Sequence, residues 1–427
     1  DGDGELQSIC ASVELPERLG QEIVVSPAGD GVVQIEGGAT ATLREVVSQL
    51  APGDTLLLQD GEYLLPEAGP GGYTGLYFTA PGVTMRSVSG DAQAVVIDSA
   101  YRSMGDGVAA ITVAAEDVAL ADFTVSRSIF HLIHFWAEGD AGIVHNVRMV
   151  DGGQQFIKSS ANNENVDDVE ISCSQFLMTG EGRDNVWGYG GQDGGTTCYT
   201  GGIDTHEARG WYVHDNRFDG IYCDPDGTPH PAHGKFPELR GGMTYTGGLS
   251  EHAIHMWDSE AGGAHTIARN RVKDCARGIG IGLVNPVHGT AVINNTVSSA
   301  HAASKEHDVG IIVERGVDML IAHNTVILTH PNAYQSGIEY RWAETSNLTV
   351  HANLTNRMIR DRDGAVATET DNVEDADVSW FVDPDGGDLH LQGCPAVPSA
   401  AVHAQVPDDL DGEPRSDPTP VGADHCP

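Results

Sequence analysis

The chain has 427 residues, of which 23 are basic and 62 acidic, so its formal net charge is −39. So negative a surface repels phosphates, which excludes a general electrostatic attraction to nucleic acid. A polyanionic sugar would need a local cluster of cations or a bound cation. The sequence has no run of 18 apolar residues, so it predicts no membrane span.

Glycine and cysteine usage narrows the class of protein. The 53 glycines, together with few stretches of helix-favouring residues, favour many short strands joined by tight turns. No two cysteines form a C-x-x-C pair, which argues against a zinc ribbon and favours two or three disulfides with one thiol left over. The first residue is Asp1, and we expect a removed export signal and a secreted, periplasmic or cell-surface protein of bacterial type. The cysteines are Cys10, Cys173, Cys198, Cys223, Cys275, Cys394 and Cys426.

The amino-terminal part predicts a cap on a stack of strands. Residues 41–65, ATLREVVSQLAPGDTLLLQDGEYLL, predict a short amphipathic helix, a Pro-Gly-Asp turn and an apolar strand. A helix at this position would cover the open end of the stack, as exposed strand edges require. Residues 1–40 are expected to form an extension with the first strands.

From about Val108 the chain repeats one pattern: an isoleucine-led strand, a polar gap, and a strand that ends in Asn-x-apolar. Strands this short cannot bury a face alone, but stacked coils share a continuous core. Asparagine at a recurrent turn tolerates left-handed geometry and can bond to its equivalent in the next coil. The leading isoleucines are Ile111, Ile133, Ile157, Ile203, Ile254, Ile279, Ile311 and Ile338, and the closing residues are Asn146, Ser174, Asn216, Asn270, Asn295, Asn324 and Asn353.

The repeat predicts an all-β fold, a single-stranded right-handed parallel β-helix over residues 41–393. An antiparallel β-sandwich is the alternative, but it gives no reason for a column of asparagines. Two long repeat spacings place insertions at about 178–199 and 221–248. Residues 381–392 are expected to form the last coil, and residues 394–427 a loosely packed cover.

Strand alternation predicts which side chains face outward when the isoleucines face the core. Histidine, tryptophan, arginine, lysine and aspartate in adjacent coils are typical of a carbohydrate cleft, whereas a face decorated only for stability is the alternative. Gly280 and Gly282 would leave a depression beside this cluster. The three outward columns are His134, Lys158, Asp204, His255, Gly280, Ile312 and Glu339; then Trp136, Ser160, His206, Trp257, Gly282, Glu314 and Arg341; then His131, Gln155, Gly201, His252, Arg277, Val309 and Ser336.

Three features resemble secreted β-helix polysaccharide lyases of the chondroitinase B and alginate lyase type: the segment APGDTLLLQDGEY, the asparagine column, and FIKSSANN. The resemblance covers about residues 40–393. It implies that Lys158, in a Lys-Ser-x-x-Asn segment, acts as the catalytic base. It also implies acidic calcium ligands just before the lysine, but VDGGQQFI offers only Asp151 there, so the sequence departs from the family at that point.

Cleavage of a uronate polymer by β-elimination needs a base, an acid and a cation that neutralises the carboxylate. Lys158 fits the base, although Asp204 beside it would stabilise its charged form, and a structural ion pair is the alternative. His206 and His255 are the rival base and acid, since histidine titrates near neutrality. Arg277 and Arg341 are the other predicted catalytic residues. They would neutralise the uronate carboxylate, because a guanidinium group binds a carboxylate in a bidentate fork.

The remaining outward residues are assigned to substrate and metal binding. Asp204, His206 and His255 could bind zinc or manganese, and calcium is the other candidate cofactor. The expected partner is a polysaccharide, and the protein is expected to be a monomer. The predicted substrate-binding residues are Asp204, His252, Trp257, Trp136, Glu314 and Glu339.

Two other functions fit the same face. A glycoside hydrolase needs two carboxyl groups about 5–9.5 Å apart, and Glu314 with Glu339, one coil apart, could supply them. A non-catalytic sugar-binding protein would keep Trp136 and Trp257 but would not need the basic and titratable cluster.

Overall fold

The computed structural model describes residues 10, 13–69, 71–105, 107–159, 165–186, 198–206, 208–223, 249–257, 262–300, 307–393 and 396–425. Along these residues, strands of two to eight residues recur in groups of three, and each group makes one coil. The coils stack into three parallel sheets, and the strands Val32–Ile35 and Thr40–Thr42 extend one of them by antiparallel pairing. The protein is a right-handed parallel β-helix, as the sequence predicts.

Sheet 1 opens each coil, and its strands are Leu76–Phe78, Ala109–Val113, His131–Phe135, Ile157–Ser159, Ile203–Thr205, Ile254–Met256, Ile279–Ile281, Ile311–Val313, Ser336–Arg341 and Met358–Arg362. Sheet 2 follows, with Thr40–Thr42, Val32–Ile35, Glu22–Gly29, Thr55–Leu58, Thr84–Ser87, Ala119–Ala121, Ile143–His145, Glu170–Ser172, Tyr212–His214, Thr266–Ala268, Ala291–Ile293, Leu320–Ala322, Leu348–His351 and Ala367–Thr370. Sheet 3 closes the coil, with Gly61–Leu64, Val95–Asp98, Thr124–Ser126, Arg148–Val150, Gln175–Leu177, Arg217–Asp219, Arg271–Lys273, Thr296–Ser299, Thr325–Leu328 and Leu354–Thr355. Two parallel pairs lie outside these sheets, Val166–Asp167 with Ala208–Arg209 and Val287–His288 with Gly316–Val317.

The leading isoleucines stack in register along sheet 1, and all of them are buried. Leu76 adds a coil before Ile111, and Ile359 adds one after Ile338. Stiff β-branched side chains fill the pleated core with little loss of rotamer freedom. Side chains alternate along a strand, so the residue after each isoleucine lies on the outer face of sheet 1. These outward residues stack in a column of their own, as the sequence predicts.

The turn from sheet 2 to sheet 3 holds the predicted asparagine ladder. Each side-chain carbonyl accepts from the backbone N–H and the amide of the previous asparagine, at 2.9 to 3.2 Å. Ser174 donates its backbone N–H to the first rung, Asn216, at 2.9 Å. Each rung therefore bonds two coils together where no strand pairing does. The ladder comprises Asn216, Asn270, Asn295, Asn324, Asn353 and Asn372.

Asn146 was predicted as a ladder residue, and the structure corrects this by one position. Val147 occupies the rung and donates to Ser174 Oγ, whereas Asn146 precedes it with a φ of 50° and bonds to Asp122. In the later coils, too, the left-handed residue precedes the rung: Asp215 precedes Asn216 with a φ of 56°. Left-handed geometry and ladder bonding therefore belong to adjacent residues.

The amino-terminal cap is present as predicted. Helix Leu43–Ser48 begins at Thr42, whose hydroxyl accepts from the Glu45 N–H while the Glu45 carboxylate accepts from the Thr42 N–H. The apolar strand Thr55–Leu58 follows, and Glu22–Gly29 pairs parallel to it. Sheet 2 thus begins inside the expected extension, and the division at residue 40 stays a prediction.

The carboxyl-terminal end differs from the prediction. Phe381–Asp383 and Asp388–Leu391 pair antiparallel, so they form a hairpin rather than the last coil, and the 3-10 helix Val378–Trp380 precedes them. The tail is not loose, because Val406, Leu410 and other side chains of it are buried. Its strands Ser399–Ala400 and Thr419–Pro420 pair antiparallel. Arg415 anchors the tail by donating to Asn294 Oδ1 at 2.8 Å.

Two disulfides join Cys10 to Cys173 and Cys198 to Cys223, and Cys275 is a buried thiol. Cys394 and Cys426 lie outside the described residues, as do residues 187–197 of the first predicted insertion and 224–248 of the second. The first insertion begins with the helix Gly180–Asp184. Across the described ranges, no helix is long and apolar enough to cross a membrane. Secretion and a monomeric state stay predictions.

The ladder predicts a large cost for removing a central rung. Asn295→Ala leaves the buried N–H of Asn270 without its acceptor, so we expect a loss of about 2–3 kcal/mol in the free energy of unfolding. Urea unfolding followed by circular dichroism measures this loss. Asn146→Gly is the control, because Asn146 is not a ladder residue and glycine tolerates its positive φ. An equal loss of unfolding free energy in both variants would contradict the role of the ladder.

His390 predicts a pH-dependent contribution to stability. Its hydrogen bond with Asp411, at 2.9 Å, and that with Asp388, at 2.5 Å, raise the pKa of His390 to about 9. The charged imidazole therefore stabilises the fold below the unfolded pKa of about 6.5, and this stabilisation is lost as the pH rises towards about 9. We expect the difference in Tm between wild type and His390→Gln to be largest near pH 6 and to shrink towards about pH 9.5. A difference that does not change with pH would contradict this account.

Candidate functional site

Three charged or titratable side chains meet on the outer face of sheet 1. Lys158, Asp204 and His255 occupy the same register position in three successive coils. Each is only 4% exposed, although each faces away from the core. Removing such groups from water is costly unless they are fully paired, so each of them depends on its contacts with the others.

Asp204 is the common partner in this cluster. Its Oδ2 forms an ion pair with Lys158 Nζ, and its Oδ1 lies 3.3 Å from His255 Nδ1. His206 Nε2 approaches the same carboxylate at 3.6 Å. We call Lys158, Asp204, His206 and His255 the Asp204 cluster.

The pKa values in the cluster follow from burial and from these contacts. Burial acts to raise the pKa of Asp204, but the Lys158 ammonium and the bond from His255 outweigh it and hold this pKa far below its usual range. Burial lowers the pKa of His206, and the charge of Lys158 lowers it further. Burial also opposes the charged form of His255, but Asp204 outweighs it and raises that pKa. His206 is therefore the neutral imidazole of the cluster at neutral pH.

Aromatic rings border the Asp204 cluster. The Trp257 ring centroid lies 4.4 Å from that of His206 and 5.9 Å from that of His255. The His252 ring lies 4.7 Å from the His255 ring, and burial lowers the pKa of His252 well below its usual value. His206 is the most open member, with 38% of its side chain exposed, so a ligand on this face would meet His206 and Trp257.

A second aromatic group lies towards the amino-terminal end of the same column. His134 precedes Lys158 by one coil, and its ring packs edge-on against Trp136 at 4.8 Å. Burial lowers the pKa of His134, and that of the neighbouring His131 to about 3. A pocket of about 370 Å³ opens here, lined by Tyr73, Tyr77, Gly107, Val108, Thr112, His134 and Trp136.

The predicted depression at the two glycines is filled. A Cβ on Gly280 would lie 2.8 Å from the His252 ring, which therefore packs directly over this glycine. Gly282 has a φ of 76°, and a Cβ there would overlap the Arg315 carbonyl. The absent side chains make room for His252 and for the next coil, not for solvent.

The two predicted clamps are already paired but partly exposed. Arg277 donates to Asp308 at 3.2 Å and lies 3.8 Å from Glu251, with 25% of its side chain exposed. Arg341 lies 3.0 Å from Asp363 and stacks on Trp342, with its guanidinium carbon 4.5 Å from the ring centroid. Each guanidinium group can bind a substrate carboxylate in a bidentate fork only if that carboxylate displaces the acidic side chain that the arginine now contacts.

The carboxyl pair that a hydrolase would need is unequal. Glu339 is 1% exposed and accepts from Arg362 at 2.6 Å and from Ser336 at 3.2 Å. Glu314 is half-buried, and burial raises its pKa although Arg341, 3.7 Å away, opposes this. Glu339 is therefore held in a structural network, and Glu314 alone resembles a general acid.

Two sequence predictions remain: a calcium ligand before Lys158, where only Asp151 is acidic, and the outward-facing Ser160. Asp151, which stands where calcium ligands were sought, accepts from the Thr179 N–H at 2.7 Å and from its hydroxyl at 2.8 Å. Its carboxylate is thus committed to a turn and does not fit a calcium site. Ser160 lies outside the described residues.

The metal candidates also change. Glu251, His252 and His255 each place one ligand atom within 4.8 Å of the others. This trio, rather than Asp204 with His206 and His255, is the metal-capable group at this face among the described residues. Two further groups, Asp409 with Glu413 and His425 and Asp409 with Asp411 and Asp424, lie in the tail.

Sequence reasoning missed Glu251, Tyr73 and Tyr77. Glu251 stands directly before His252, and the spacing Glu-His-x-x-His was visible in the sequence. Tyr77 belongs to the coil that Leu76 leads, and a search for isoleucines passes over that coil.

Comparison with known proteins identifies no family. No family model matches the chain, and no curated protein matches it. Solved structures that are similar include pectate lyase Pel9A, with a TM-score of 0.49, 11% identity and 97% of each chain covered. A rhamnogalacturonan lyase has a TM-score of 0.45 and 11% identity, covering 93% of this chain and 96% of its own. A PL6 family polysaccharide lyase from Pseudopedobacter saltans has a TM-score of 0.38 and 11% identity, covering 82% and 94%. At such distances the reaction must be argued from the site itself.

Proposed function

We propose that the protein is a polysaccharide lyase that cleaves a uronic-acid-containing polymer by β-elimination at the Asp204 cluster. The observation that carries the proposal is His206: a neutral, partly exposed imidazole between a buried carboxylate and a tryptophan ring. A base that is deprotonated at neutral pH and open to a ligand is what abstraction of a sugar C5 proton requires.

Asp204 orients this base. Its Oδ2 faces His206 Nε2 at 3.6 Å, which favours the tautomer with hydrogen on Nε2 and leaves the lone pair on Nδ1. The same carboxylate then stabilises the imidazolium that forms when the proton is taken. His206 is the proposed catalytic residue, and Asp204 positions it.

The reaction balances with one imidazole. His206 takes the C5 proton, the electrons of that C–H bond form the C4–C5 double bond, and the C4–O4 bond breaks. The leaving oxygen then takes a proton, which the His206 imidazolium holds on the same face. The products are an unsaturated uronate and a new chain end.

Lys158 and His255 are assigned supporting roles. Both are buried and both contact Asp204, so a polymer on the surface does not reach them directly. They hold the Asp204 carboxylate in its ionised form, since each presents a positive or hydrogen-bonding group to it. We therefore assign the role of catalytic base to His206, and not to Lys158, for which the resemblance implied it.

Substrate binding is assigned to the edges of the cluster. Trp257 offers a ring face beside His206. The pocket at Tyr73, Tyr77 and Trp136 offers more rings, and it begins at the coil of Trp136, two coils or roughly 10 Å from Asp204. Arg277 and Arg341 are the proposed contacts for the carboxylates of the polymer, which a surface of charge −39 would otherwise repel.

The first test is digestion of alginate, glucuronan, pectate and glycosaminoglycans, followed by the ultraviolet absorbance of unsaturated uronate. We expect His206→Ala to lower kcat on the cleaved polymer by about 10²–10⁴-fold, as loss of a general base does. His288→Ala, an exposed histidine on another strand pair, is the control. Full activity in His206→Ala would reject this base.

Two other results would change the reaction class. Reducing ends without the absorbance would indicate a hydrolase that uses Glu314. Binding that is lost in Trp136→Ala, without cleavage of any polymer, would indicate a sugar-binding protein.

The lowered pKa of His206 predicts the pH dependence. The base acts when deprotonated, so kcat/KM should hold as the pH falls to about 6.5 and drop only below that value. Lys158→Met removes one of the charges that lower this pKa, so the acid limb should move to higher pH. Complete loss of activity in Lys158→Met at every pH, with the fold intact by circular dichroism, would instead restore Lys158 as the base.

A further inference from the structure

We propose that Glu251, His252 and His255 bind a divalent transition-metal ion of the zinc type, and that this ion binds the uronate carboxylate of the substrate. The second part rests on the proposed function, whereas the first part does not. The three ligand atoms lie within 4.8 Å of one another. Glu251 and His252 directly precede the strand Ile254–Met256 of sheet 1, and His255, within that strand, also belongs to the Asp204 cluster.

The chemistry of the ligands selects the ion. Two imidazoles and one carboxylate are typical of zinc and its first-row neighbours, whereas calcium takes six to eight oxygen ligands. Three protein ligands also leave a coordination position open. A tetrahedral site needs ligand atoms about 3.3 Å apart, so small rotations of these side chains would close the group around an ion.

His255 already has the support that a metal-bound histidine needs. Its Nδ1 lies 3.3 Å from Asp204 Oδ1, and a carboxylate behind one ring nitrogen fixes the tautomer that leaves the other nitrogen for a metal. That other nitrogen, Nε2, has a long contact of 3.4 Å with the Gly282 carbonyl. Asp204 therefore connects the metal site to His206.

His252 has an unused nitrogen. Its Nδ1 is buried and makes no hydrogen bond to any residue that the structure describes. A buried polar atom without a partner is costly, and an ion held with Glu251 and His255 would supply the missing contact. Gly280 makes room for this ring, because a Cβ there would lie 2.8 Å from it.

Among the described residues, Glu251 is held through its side chain only by a long ion pair, and it can serve as the third ligand. Its side chain is 30% exposed, and its nearest cation, Arg277, lies 3.8 Å away while bonding to Asp308 at 3.2 Å. The strongly negative surface also raises the local concentration of cations. An ion here would lie beside Arg277, and the two would neutralise a uronate carboxylate together.

The test measures binding directly. Protein dialysed against chelator is titrated with ZnCl₂ by calorimetry, and with Co²⁺ by visible absorbance, which distinguishes a four-coordinate protein site from the hydrated ion. We expect one ion at this site, and a weakening of at least tenfold in each of Glu251→Gln and His252→Ala. Asp204→Asn should weaken binding by about 10–100-fold, as loss of a carboxylate behind a ligand does.

Two further variants show whether the ion binds at this trio. Gly280→Ala changes no ligand but displaces the His252 ring, so it should also weaken binding. Glu413→Gln alters a metal-capable group in the tail and should leave the Co²⁺ spectrum unchanged. Absence of binding, or binding that Glu251→Gln and His252→Ala do not alter, would overturn the metal site.

The role in catalysis is tested apart from binding. If chelated protein keeps its full lyase activity, the proposed contact with the carboxylate is wrong while the lyase stands. If the ion binds and no polymer yields unsaturated product, the proposed function fails while the metal site stands. Activity that chelator removes and Zn²⁺ restores in wild type, but not in His252→Ala, supports both.

Discussion

Coil-on-coil register is the constraint on which the rest of this molecule depends. A strand of three residues buries a face only when the coils above and below present matching side chains. The stacked isoleucines of sheet 1 match one coil to the next inside the core. The asparagine ladder does the same at the turn between sheets 2 and 3. Because the side chains alternate, a core that is fixed in register also fixes the outer face residue by residue.

The Asp204 cluster is a direct product of that register. Lys158, Asp204 and His255 come from strands that are 46 and 51 residues apart in the chain, yet stacking places them side by side. Their burial makes complete pairing necessary, since a lone charge there would be costly. The pairing leaves His206 as the neutral, accessible group, so the division of roles follows from which residue remains open.

The sequence was sufficient for the parts that the repeat controls. The isoleucine column and its outward neighbours could be read directly, because alternation and stacking leave little choice once the core residues are known. Asn146 was misplaced by one residue, because asparagine suits both the left-handed position and the ladder position. The hairpin at Phe381–Asp383 and Asp388–Leu391 was missed because short apolar strands look alike whether they pair parallel or antiparallel.

The chemistry of the site was less accessible from the sequence, for physical reasons. The exposure of Lys158 depends on what packs around it, and alternation says only that it faces outward. His252 lies in the turn before the strand Ile254–Met256, so its approach to His255 depends on loop geometry. Gly280 suggested an open hollow, but the ring of His252, from the preceding coil, packs over it, and alternation alone does not place that ring.

The Cys10–Cys173 bridge has a consequence for how the molecule comes apart. Solenoids commonly fray from their ends, because a terminal coil has only one neighbour. Here Cys10 precedes the first strand of sheet 2, while Cys173 directly follows Glu170–Ser172, several coils along the stack. Arg18, which lies between Cys10 and the strand Glu22–Gly29 along the chain, donates to Thr84 and Asp117. The leading segment is thus a strap along the outside of sheet 2, and the amino-terminal coils must detach as a group or not at all while the bridge is intact.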